Sequence, residues 1–158
     1  MKWLRDPLKL IGCYQIGGAL FATEVLQRQF SAFLAGGPVG WLAFVLITAF
    51  FTLNGVAGVL LLRGAPRAKA FTVVAQLPQV LWADMPGLLY YVTCGASLAL
   101  NWQHDWFGFT TSAGSQFSLF VRHVPQSGSA RFAVNFVPLA VLYILYRRRT
   151  QMGSSRAA

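Results

Sequence analysis

Two carboxylates stand inside apolar stretches, Glu24 and Asp84, and chemistry is expected there first. An ionisable side chain at membrane depth costs roughly 3 kcal/mol unless it is paired or hydrated, so such residues usually mark proton or ion paths. Asp84 has amide-bearing neighbours at helical spacing, Gln76 and Gln79, and Asn135 lies on a later segment at similar depth. With Glu24 these four residues form the candidate intramembrane polar site, able to hold a proton or cation. The competing reading is structural: Asp84 caps a helix that restarts at Pro86 and accepts bonds from backbone donors freed by the kink. Glu24 precedes Arg28 by four residues, the stabilising order for an ion pair on a helix surface.

Other chemistry has little support. His104, Asp105 and His123 could supply part of a metal site, but no HExxH and no cysteine pair accompanies them, so no metal is expected. There is no Gly-x-Ser-x-Gly elbow and no nucleotide-binding glycine loop, so neither a hydrolase nor a nucleotide cofactor is indicated. Catalytic residues and cofactors are therefore expected to be none. Asn54, Gly55 and Gly58 in one segment and Gly18 and Ala22 in another read as helix packing, with an amide as interhelical glue and small residues allowing close approach. Cys13 and Cys94 are expected to be free thiols.

The elements that must carry these residues are strongly apolar. Trp41 to Leu62 has no charged side chain, and about 20 such residues span a hydrocarbon layer of about 30 Å. Similar stretches cover about 8–26, 71–100 and 132–146. The expected fold is an all-α membrane protein: a four-transmembrane-helix bundle forming a single domain over 1–150. A small outer β-hairpin or loop is expected within 101–131, and residues 151–158 form a flexible cytoplasmic tail. In the hairpin reading, alternation over 107–111 and 117–121 supplies the strands and 112–115 the turn.

The chain carries 13 Lys plus Arg against 4 Asp plus Glu, a net charge of +9. Most of the cations flank apolar segments, so they read as topology determinants and lipid contacts, with nucleic acid excluded as a partner. By the positive-inside tendency both termini are cytoplasmic, in a multi-pass protein of the cytoplasmic (inner) membrane. Arg147, Arg148 and Arg149 are expected to touch lipid head groups.

The functional expectation is a small multi-pass integral membrane protein serving as an accessory, assembly or structural subunit of a larger membrane complex. Its partners would be membrane lipids and other membrane subunits or a second copy. Two rivals are a proton- or cation-coupled transporter or channel component centred on Asp84, and a membrane-embedded lipid-modifying enzyme. Enzyme activity is the less expected outcome.

Overall fold

The computed structural model describes residues 6–86, 88–103, 106–121 and 130–154, the side chains of 119–121 and 148–154 excepted. His104, Asp105 and His123 lie outside the described residues, as do the side chains of Arg148 and Arg149.

Helix α1 runs from Pro7 to Ala35, opened by Pro7 in its first turn and by Asp6, whose carboxylate accepts from the Leu8 N–H at 3.1 Å. Helix α2, Gly37–Leu62, follows after Gly36 alone. That reversal needs glycine twice. Gly37 has φ +58°, and a Cβ on Gly40 would lie 2.0 Å from the Phe33 carbonyl oxygen. The two helices pack antiparallel along a stripe of Ile47, Phe51, Asn54, Gly58 and Leu61, spaced by three and four residues. Helix α3, Ala68–Gln76, is short and tightens at Pro78 into a 3-10 turn, Leu77–Gln79. Ile11, Leu61, Ala68, Val141 and Leu145 form a core that gathers the start of α1, the end of α2, the start of α3 and the later turns of α4, Phe136–Ser154.

Between the 3-10 turn and α4 lies a sheet. Its strands are β1 Leu81–Met85, β2 Leu88–Thr93, β3 Ala96–Gln103, β4 Trp106–Ala113, β5 Gln116–Val121 and β6 Arg131–Asn135. They pair antiparallel in the order β4-β3-β6-β1-β2-β5. The connections force this sheet to curl. β4 and β5 are opposite edges, yet only Gly114 and Ser115 join them. Three Cα steps reach at most about 11 Å, whereas five interstrand spacings in a flat sheet would separate those edges by about 24 Å. Likewise Cys94 and Gly95 alone join β2 to β3, which have β6 and β1 between them. The two short links meet, the Gly114 N–H donating to the Gly95 carbonyl at 2.7 Å, and both glycines have positive φ (110° and 101°). The sheet is thus drawn together at the end that carries these two links.

This architecture overturns the four-span all-α bundle. Among the described residues α2 is the one helix long and apolar enough to cross a membrane. α3 has nine residues, the apolar part of α4 covers only Phe136–Arg147, and α1 is diluted by Gln15, Glu24, Gln27, Arg28 and Gln29. The multi-pass inner-membrane assignment, with both termini cytoplasmic, loses its basis with the spans. The segment 71–100 is α3, the 3-10 turn, β1, β2 and the first half of β3. Nor is there a β4–β5 hairpin: β4 pairs with β3 and β5 with β2.

The physical reason lies in how the sheet distributes polarity. Outward positions are almost all apolar, among them Leu81, Leu98, Trp102, Phe107, Phe109 and Phe132, every one exposed. Inward positions such as Trp82, Thr93, Ser97, Ala99 and Ala133 are buried and mostly uncharged. Averaged along the chain, the alternation reads as one long apolar run.

Candidate functional site

The structure divides the sequence candidates between a buried seam and an open groove. Gln15, Asn54, Thr72, Gln76, Gln79 and Asn135 are all fully buried. Gln79 is the hub of the seam. Its Nε2 donates to Asn54 Oδ1 at 3.2 Å and to the Ala75 carbonyl at 2.9 Å, while its Oε1 accepts from the Cys94 N–H at 2.7 Å. It therefore ties α2 and the end of α3 to the β2–β3 link. Thr72 reaches Gln15 Oε1 at 3.5 Å, joining α3 to α1. Asn135 caps α4, its Oδ1 accepting from the Val137 N–H and also from Leu98 N–H on β3, each at 3.2 Å. Gln15 Nε2, Asn135 Nδ2 and both polar atoms of Gln76 have no partner among the described residues. Carboxamides do not titrate, so the seam holds elements together and cannot itself act as acid or base.

Asp84 is elsewhere. It lies on β1, four residues beyond Val80, whose carbonyl accepts the Asn135 N–H. At about 3.3 Å per strand residue it is about 13 Å along the strand from that amide, so the Asp84, Gln79 and Asn135 constellation does not form. Glu24 is on the surface of α1, bonded to Arg28, with both side chains largely exposed. Such a pair contributes little. Of the packing residues, Gly58 meets Gly12 on α1 and Gly55 meets Ala19. Gly18 faces the sheet instead: a Cβ there would lie 2.7 Å from the Cys94 carbonyl carbon, and its own carbonyl accepts from Ser115 Oγ. Ala22 joins Ile47, Phe51 and Cys94 in a second core.

Asp84 belongs to a groove of about 390 Å³ on the inward face of the curled sheet. The strand registers align its lining in transverse rows. Trp106, Gln103, Arg131, Asp84 and Leu89 form one row across β4, β3, β6, β1 and β2. Gly108, Asn101, Ala133 and Trp82 form the next, with Tyr91 beside Trp82, their ring centroids 4.1 Å apart. Opposite charges directly across an antiparallel pair favour each other, and Asp84 stands directly across from Arg131. Trp82 is fixed by its indole N–H, which donates to the Val92 carbonyl at 3.1 Å, and Asn101 Nδ2 donates to Thr110 Oγ1. No group of three or more His, Cys, Asp or Glu able to hold a metal occurs among the described residues.

Sequence reasoning missed Trp82, Tyr91, Asn101, Gln103, Trp106 and Arg131. For Asn101, Gln103 and Trp106 the signal that could have found them is the period-2 alternation over 96–103 and 106–113, once read with its polar face inward. Buried Cys94 faces the closed end of the sheet, and burial pushes its thiol up to about 12, partly offset by a hydrogen bond from Ser115. Among the described residues Asp84 is the one carboxylate lining the groove.

No protein-family model matches the chain, no curated protein matches it significantly, and no solved structure does so either.

Proposed function

We propose that the protein is a membrane-docked accessory protein that rests against lipid through apolar surface and presents its curled sheet as a binding element. The observation that carries this reading is the inverted polarity of the sheet, apolar outside and polar inside, beside a 26-residue apolar helix of which only one stripe is buried. Trp41, Leu42, Val45, Leu46, Val56 and Val59 of α2 are exposed, as are Trp102 and Phe107, stacked at 6.1 Å on the outer sheet face. Exposed apolar area of this extent marks contact with lipid or a partner. The open edges β4 and β5 keep backbone groups that hydrocarbon cannot satisfy, which argues for the sheet lying at the head-group boundary.

Charge supports lipid as the apolar phase. Lys9, Arg63, Arg67, Lys69 and Arg147 surround the core that joins the four helices, so one end of the helical layer is basic. Anionic head groups attract each such residue by about 1 kcal/mol. The conduit reading loses its supporting observation, because Asp84 is separated from Gln79 and Asn135.

Flotation tests the proposal. The full chain, exchanged from mild detergent into vesicles of phosphatidylcholine with anionic phosphatidylglycerol, should float with them. Leu46→Asp with Val45→Asp should reduce the floating fraction severalfold, and raising salt should weaken what recovery of that variant remains on the anionic vesicles. A detergent-free, monodisperse protein that stays at the bottom of the gradient would overturn it.

A further inference from the structure

We infer that the inward groove of the sheet binds a neutral saccharide. Its walls are aromatic and its floor is small. Trp106 on β4 and Trp82 on β1 are three interstrand spacings apart, about 14 Å measured along the curled sheet, with Asn101 and Ala133 between them. Trp106 lies flat on its own strand: a Cβ on Gly108 would fall 1.9 Å from the indole ring. Its exposure of 61% leaves ring surface for a ligand. Trp82, by contrast, is only 6% exposed and locked against Tyr91, so it forms a rigid wall.

The polar groups select the ligand's charge. Among the described lining residues the charged groups are Asp84 and Arg131, one negative and one positive, at directly opposed positions. An anion would meet the carboxylate and a cation the guanidinium. Hydroxyl groups donate and accept, which matches a carboxylate acceptor, guanidinium donors and the two-way carboxamides of Asn101 and Gln103. A pyranose adds an apolar C–H face that stacks on the exposed Trp106 indole, so one ligand class satisfies that wall and the polar groups together. The volume of about 390 Å³ fits one or two sugar rings and lies within the range of small-molecule sites, roughly 300–1,000 Å³. Deeper on the same inward face, Thr93 Oγ1 and Asn135 Nδ2 are buried without partners among the described residues. This inference does not depend on membrane docking.

Titrating the full chain in mild detergent with cellobiose, lactose and N,N′-diacetylchitobiose tests it, read by tryptophan fluorescence and by saturation-transfer NMR of the sugar. At least one should give saturable binding with a Kd on the order of 1 mM. Trp106→Ala and Gly108→Ala should each weaken it at least about tenfold; the second keeps every groove side chain but displaces the Trp106 ring. Phe109→Ala, on the outer face, should leave binding unchanged, with circular dichroism confirming that all three variants fold. Three results would overturn the inference: no saturable binding up to about 50 mM sugar, affinity in the Trp106 and Gly108 variants equal to that of the parent, or saturable binding of glycerol 3-phosphate without sugar binding.

Discussion

Gln79 and Asn54 meet side chain to side chain at 3.2 Å inside the protein, both fully buried, and this contact links the middle of α2 to the turn from which the sheet departs. The same Gln79 also accepts from the Cys94 N–H. One residue thus ties the helical layer to the start of the sheet.

Gln79→Ala should destabilise the protein by about 3–5 kcal/mol, because it strands the Asn54 Oδ1 and the Cys94 N–H, each at about 1–3 kcal/mol, and opens a small cavity. Asn54→Ala should cost less, since it strands only one end of the Gln79 amide. The double variant should fall short of the sum by about 1 kcal/mol or more, the signature of a direct contact. Chemical denaturation in a single detergent measures all three. Strict additivity would show that the two side chains do not couple.

Gly12 and Gly58 approach backbone to backbone, and each would place a Cβ within 3 Å of the other's carbonyl oxygen, 2.9 Å and 2.6 Å. Gly58→Ala or Gly12→Ala must push α1 from α2, at a cost of roughly 1–3 kcal/mol. Gly17, on the same helix as Gly12, has nothing within 4 Å of its Cβ position. Gly17→Ala should therefore stabilise by up to about 1 kcal/mol through helix propensity alone. Thermal unfolding of the three variants should rank them on opposite sides of the parent protein.

How much of this was legible before the structure depends on which periodicity each segment carries. α2 could be read directly, because a long uncharged run of helical residues has few other solutions, and Gly58 and Asn54 sit in its buried stripe. The segment 71–100 could not be read by averaging, because Trp82, Tyr91, Thr93 and Ala99 face inward without charge and conceal the alternation. Finer cues were present: Leu-Leu-Tyr-Tyr-Val-Thr over 88–93 favours strand, and Pro78, Pro86 and Gly95 punctuate it. The strands of 107–111 and 117–121 were visible, but their partners were not. Pairing β4 with β3 and β5 with β2 depends on a curl imposed by two glycine links, which local pattern does not encode. Asp84 drew attention as a charge in an apolar run; only the β1–β6 register shows that Arg131 faces it.

Cys13 and Cys94 should behave as opposites. Cys13 is exposed on α1, whereas Cys94 is fully buried where α1, α2 and the β2–β3 link converge. Alkylation of the native protein by iodoacetamide should therefore stop at one thiol per chain, with Cys94 modified only on unfolding. The raised thiol pKa also makes a pH forecast. The folded state keeps the Cys94 proton until about pH 12, while an unfolded chain releases it near the ordinary thiol value of 9.0. Above pH 9 the native state holds more protons than the unfolded state, so this group's contribution to stability falls as pH rises, by about 1.4 kcal/mol per unit up to the folded pKa. Below pH 9 it contributes no pH dependence. Cys94→Ala should lower stability at pH 7 by about 1–2 kcal/mol through the vacated volume. The same variant should show a shallower loss between pH 9 and 10.5 than the parent. Denaturation midpoints at pH 7, 9 and 10.5 decide the matter: parallel pH profiles for parent and variant would show that the thiol is not held neutral by burial at the closed end of the sheet.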